Sequence, residues 1–89
     1  MNELELKLHE SYIQRCFDLA RRSGKHVKSN PQVGSVIVYQ DRIIGEGAHQ
    51  RYGQAHAEVN AFKSVLNEDS HLLAKATIYV SLEPCNHTG

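Results

Sequence analysis

Apolar residues recur at helical spacing through Leu8, Tyr12, Ile13, Cys16, Phe17 and Ala20, which predicts an amphipathic helix over about residues 8–22. Arg21 and Arg22 suit its C-terminal end, where the helix dipole favours cations, and Gly24 can terminate it. The pattern then breaks. Ser23 to Gln32 is polar and ends in Asn30-Pro31, a turn signal. From Val33 to Tyr39 the β-branched content predicts a strand. Gln40-Asp41 reads as a tight turn and Arg42 to Ala48 as the returning strand. Gly45 and Gly47 within it mark bulges or a close backbone approach. His49 to Gln54 reads as a loop. His56 to about Leu66 reads as a second helix with Val59, Phe62, Val65 and Leu66 as its buried stripe. Thr77 to Leu82 reads as a third strand. A strand, a crossover helix and a strand predict a right-handed parallel connection. The order α-β-β-α-β is that of an α/β protein, with helices layered on a sheet.

Composition narrows the function classes. The chain has 89 residues, enough for one domain with a modest core. Ten basic and ten acidic residues cancel, and no Lys/Arg run exists. No electrostatic footprint for a polynucleotide or an anionic membrane follows, whereas a small nucleotide remains compatible. The N-terminal residues alternate charge with Leu and carry no apolar signal region. The longest clean apolar run, Val36 to Tyr39, falls far short of the roughly 18 residues of a membrane helix. A soluble, cytoplasmic protein is expected. Two cysteines, Cys16 and Cys85, make no disulfide framework.

Candidate chemistry gathers in two segments, His56-Ala57-Glu58 and Glu83-Pro84-Cys85. They supply an imidazole, a carboxylate and a thiolate. Zinc binds neutral imidazole and thiolate well, and a catalytic zinc uses three protein ligands plus water. His56 stands at a predicted helix start, and Cys85 follows a strand and Pro84, where a helix opening would lower the thiol pKa. Both are expected at the C-terminal edge of the sheet, where ligands sit in open α/β folds. Each residue alone has a plainer reading: a histidine at a helix start is ordinarily a cap or surface residue, and a lone cysteine a small buried hydrophobe. The combination, separated by a helix and a strand, resembles the signature of zinc deaminases. Cys16, Tyr12 and Phe17 are expected in the core, and His9, His26 and His71 on the surface. Gly45-Glu46-Gly47 begins like a dinucleotide loop, but Gln50 replaces the third glycine.

Several stretches make the resemblance narrower. Asn30-Pro31-Gln32-Val33-Gly34, Gly45-Glu46-Gly47-Ala48-His49, Tyr52-Gly53-Gln54-Ala55-His56-Ala57-Glu58-Val59-Asn60-Ala61 and Tyr79 to Gly89 resemble, in order, the N-terminal deaminase domain of the bifunctional riboflavin-biosynthesis deaminase/reductase family. The resemblance covers about residues 8–89. Thr88 stands where other zinc deaminases place a second cysteine, and Cys85-Asn86-His87-Thr88-Gly89 fits the longer spacing of the riboflavin family.

The resemblance implies a three-layer α/β/α cytidine deaminase-like fold with a mixed sheet, truncated after the third strand. Residues 1–89 would be the N-terminal part of a zinc-dependent deaminase domain, with the second cysteine ligand, later strands and any reductase domain beyond Gly89. It implies Zn²⁺ held by His56 and Cys85, Glu58 as the catalytic acid/base, and Asn30, His49 and His87 as substrate-binding residues. The implied reaction is hydrolytic deamination of diaminohydroxyphosphoribosylaminopyrimidine, a small pyrimidine nucleotide, with no nucleic acid and no membrane as partner. Two other readings stay open at this point: a non-catalytic truncated or degenerate fragment, and a zinc deaminase acting on another nucleobase. A third strand with an unpaired edge is an association hazard, so a homo-oligomer is expected.

Overall fold

The computed structural model describes residues 2–24, 33–48 and 56–82. Helix α1 spans Glu3–Gly24, strands β1 and β2 span Val33–Tyr39 and Arg42–Ala48, helix α2 spans Ala57–Ser64, a 3-10 helix spans Asn67–Lys75, and strand β3 spans Thr77–Leu82. Every strand takes its predicted bounds. Helix α1 starts five residues earlier than its apolar stripe predicts, and Leu4 and Leu6 in that added turn are exposed. A reciprocal cap accounts for the extension. The Glu5 backbone N–H donates to Asn2 Oδ1 at 2.8 Å, and the Asn2 N–H donates back to Glu5 Oε1 at 3.5 Å. Asn2-Glu3-Leu4-Glu5 is thus a capping box, which satisfies amide groups that a helix start otherwise leaves unpaired. Acidic Glu3 and Glu5 also face the positive end of the helix dipole.

Strand β1 is central, in the order β2-β1-β3. Both of its ladders are antiparallel: Gly34 faces Ala48 and Ile37 faces Gly45 on one side, while Gly34 faces Ser81 and Ile37 faces Ile78 on the other. Strands β2 and β3 therefore run in the same direction, as the crossover helix requires, but β1 lies between them. No parallel ladder forms among the described residues, and the expected mixed character of the sheet does not show within this part. The Gln40-Asp41 turn has φ of 47° and 62° at its two residues. Positive φ at both central positions is the primed turn whose twist matches a hairpin. The register shifts between Ile37 and Val38, leaving Ile44 as an extra residue beside Gly45.

Alternation along β1 sends side chains to two layers. Val36 and Val38 pack with Tyr12 and Cys16 of α1, joined by Leu8, Leu19, Ile43 and Tyr79. Ile37 packs on the opposite face with Ile44 and Ala61, joined by Val65, Leu72 and Leu73. The result is α1, sheet and α2 in three layers. Cys16 is fully buried, as expected, whereas Phe17 is only half-buried. His9, expected on the surface, is half-buried and hydrogen-bonds through Nδ1 to the Tyr79 hydroxyl. Arg15 of α1 makes a two-point ion pair with Glu46 of β2, at 2.6 and 3.0 Å, with both side chains about a third exposed and so screened by solvent.

The predicted buried stripe of α2 is corrected. Val59, Phe62 and Leu66 are exposed, and Val65 is half-buried. The residues turned to the sheet are Ala57 and Ala61, at 1% and 0% exposure. The reason is distance: a Cβ on Gly47 would lie 2.3 Å from the Ala61 nitrogen and 2.5 Å from the Ala57 oxygen. Helix and strand backbones touch there, and only small side chains fit between them.

Ser35 and Ser81 are buried with hydroxyl oxygens that have no hydrogen-bond partner among the described residues. A buried hydroxyl without a partner costs about 1–3 kcal/mol of desolvation. Ser35→Ala is therefore expected to stabilise the fold by about 1 kcal/mol, seen as a higher midpoint in urea. A lower midpoint would show that the hydroxyl is satisfied.

Candidate active site

The site is built at one edge of the sheet. The register places Ala48, the last residue of β2, opposite Gly34, and Leu82, the last residue of β3, opposite Val33. Both outgoing strands thus end beside the start of β1. Two strand spacings separate them, about 10 Å. The chain leaves β2 there and enters α2 at Ala57, and it leaves β3 there towards Glu83-Pro84-Cys85.

His56 is the N-cap residue of α2, in extended conformation with φ −66° and ψ 160°. It is exposed, and its side chain makes no capping hydrogen bond to the helix. Of the plain readings of this histidine, the helix cap does not hold and the surface position does. Glu58 sits in the first turn of α2 and is half-buried. Among the described residues its carboxylate has no hydrogen-bond or ion-pair partner. Residues two apart do not share a face in mid-helix, but from the first turn both can point beyond the helix end. The buried Ala57 between them is held under the sheet, which fixes where they emerge.

The expected substrate residues Asn30, His49 and His87 and the expected ligand Cys85 lie outside the described residues. Among the described residues no group of three or more His, Cys, Asp or Glu side chains is arranged to hold a metal ion. Cys16 is not part of this edge. It lies on the α1 side of the sheet while His56 opens the helix on the other side, and burial pushes its thiol pKa up, away from the thiolate that zinc binds. An imidazole uninvolved in capping is a donor chemically suited to zinc.

Sequence reasoning missed one feature of the site. Asn60 Nδ2 donates to the Ala48 carbonyl at 2.7 Å, joining the second turn of α2 to the end of β2. Asn60 stands within one of the resembling stretches, but no local signal names its carbonyl partner.

A family model described as the cytidine and deoxycytidylate deaminase zinc-binding region matches residues 6–88. The chain is 51% identical over 78 residues to the chloroplastic riboflavin biosynthesis protein PYRD of Zea mays, covering 88% of this chain but 19% of that protein. It is 42% identical over 78 residues to the diaminohydroxyphosphoribosylamino-pyrimidine deaminase of Buchnera aphidicola, of which it spans 50%. Among solved structures, a deaminase/reductase from Thermotoga maritima superposes with a TM-score of 0.75 at 40% identity, over 93% of this chain and 24% of that one. The layers described above are thus those of a cytidine deaminase-like fold.

Proposed function

Because this chain belongs to the cytidine and deoxycytidylate deaminase zinc-binding family, we propose that it serves the hydrolytic deamination of diaminohydroxyphosphoribosylaminopyrimidine in riboflavin biosynthesis. The observation that carries this reading is that His56 and Glu58 open α2, whose second turn is bonded to the end of β2. Relatives that share this region are named for that deamination or for that pathway. The formal charge of +0 suits a small pyrimidine nucleotide better than a polynucleotide.

His56 and Cys85 would hold the zinc ion. Bound zinc supplies Lewis acidity that lowers the pKa of water. Glu58 would carry one proton of the attacking water to a ring nitrogen and then the proton of the newly formed hydroxyl to the departing amine, acting as base and then acid in each transfer. Water adds to the ring carbon bearing the amine, the carbon–nitrogen bond breaks, and a carbonyl and ammonia result. Asn30 would hydrogen-bond the pyrimidine, and His49 and His87 would line its pocket. Among the described residues no helix is long and apolar enough to cross a membrane. A cytoplasmic homo-oligomer is part of the same proposal.

The test is zinc quantification with an ammonia-release assay. It uses the 89-residue chain and a version extended with the residues that follow the matching region in the Buchnera deaminase. The extended version is expected to bind one zinc per chain and to deaminate the phosphoribosylaminopyrimidine, and the 89-residue chain to bind zinc more weakly. Turnover of cytidine in preference to that substrate would overturn the assignment.

A further inference from the structure

Helix α2 is short, 8 residues, and opens without a side-chain cap. Such a helix has little stability of its own. Yet the proposed chemistry requires its first turn to hold His56 and Glu58 in one place. Something outside the helix must therefore fix its register on the sheet.

Two polar side chains one turn apart meet that need. Asn60 Nδ2 donates to the Ala48 carbonyl at 2.7 Å. Ser64 Oγ accepts the Glu46 backbone N–H at 2.8 Å and donates to the Ala61 carbonyl at 2.7 Å. The spacing matches physically. Four residues of helix rise about 6 Å, and two residues of strand rise about 6.6 Å. Asn60 and Ser64 thus meet Ala48 and Glu46 in step, with the helix running antiparallel to β2. Glu46 and Ala48 turn these backbone groups away from β1, so they are free to bond the helix. The bare backbone of Gly47, between the two clamped residues, lets the helix approach closely enough for the short side chains to reach. Slippage by one turn would carry His56 and Glu58 about 5.4 Å along the axis.

We propose that Asn60, seconded by Ser64, is a positioning residue for the deamination. It acts through Ala48 and α2 and touches neither substrate nor metal. Asn60 tethers the end of β2 to the helix that carries Glu58, so one bond sets how that helix sits on the strand. The proposal rests on the deaminase reading above.

The test compares Asn60→Leu and Asn60→Asp, both close in size to Asn and lacking its donor, with Ser64→Ala and with His9→Leu. The last breaks a contact at the far end of the sheet. All are made in the extended version, and kcat, KM, melting temperature and amide exchange at Glu58–Ala61 are measured. Both Asn60 variants are expected to lose kcat by roughly 100-fold, the scale of a 1 Å misplacement, with KM little changed and faster exchange at Glu58–Ala61. Ser64→Ala should show the same split more weakly, and His9→Leu should melt lower with kcat unchanged. Wild-type kcat in Asn60→Leu would overturn the proposal, as would an equal loss of kcat in His9→Leu. Should the Asn60 variants fail to fold, Ser64→Ala decides by the same split. Were the parent protein to release no ammonia, the deaminase reading would fall, and unchanged exchange at Glu58–Ala61 in Asn60→Leu would separately sink the clamp.

Discussion

Glu58→Gln, made in the extended protein, is expected to cut ammonia release by about 100- to 10,000-fold, the range of a lost general acid/base. The substitution keeps the volume and a hydrogen-bonding oxygen but removes the ability to take a proton. Its effect on folding should be small, because the Glu58 side chain is half-buried in the first helical turn and has no partner among the described residues. Zinc content should also stay the same, since the carboxylate is assigned to proton transfer and not to the metal. The measurement is single-turnover ammonia release at equal zinc loading. A rate within tenfold of the parent would remove Glu58 from the mechanism, and zinc loss in step with activity would make it a ligand instead.

Gly34→Ala is expected to unfold the chain. A Cβ at Gly34 would stand 1.9 Å from the Cys16 carbonyl oxygen and 2.7 Å from its carbonyl carbon, against 3.4 Å or more for ordinary contact. The neighbour is helix backbone, which cannot rotate aside as a side chain can. Relief therefore requires α1 to move off the sheet by more than 1 Å, which opens the packing of Tyr12, Cys16, Val36 and Val38. Overpacking of this kind costs about 1–3 kcal/mol when the surroundings can relax and more when they cannot. Small domains hold only about 5–15 kcal/mol in all. A urea melt with a midpoint close to the parent's would show that α1 accommodates the methyl group.

The sequence was most legible where one physical signal acted alone. β-branched runs bounded by turn residues marked Val33–Tyr39, Arg42–Ala48 and Thr77–Leu82 at their observed ends. It was least legible where contact, not pattern, decides. Val59 and Phe62 are the large apolar residues of α2, so periodicity assigns them inward. The structure turns Ala57 and Ala61 inward because the helix lies against strand backbone at Gly47. The 3-10 helix at Asn67–Lys75 was not predicted; its buried-facing residues Leu72 and Leu73 are only half-covered, so no helical stripe announces it. His9 carried no motif, and its partner Tyr79 is 70 residues away. At the candidate site the sequence singled out His56 and Glu58 by their chemistry, which the family resemblance then narrowed, and the structure adds that both stand at the opening of α2. Asn60 lay inside one of the resembling stretches, but its carbonyl partner depends on the helix–strand register, which no local signal encodes.

The bonds from Asn60 and Ser64 also make the two margins of the sheet unequal. On the β2 margin, the Glu46 amide and the Ala48 carbonyl are already occupied by α2 side chains, so an incoming strand meets spent valences there. On the β3 margin the sequence Thr77-Ile78-Tyr79-Val80-Ser81 carries no charge, and Ile78 and Val80 stay 41% and 40% exposed. The sheet is thus polar in the sense of a growing lattice: one flank is sealed by its own helix, and among the described residues the other is left open.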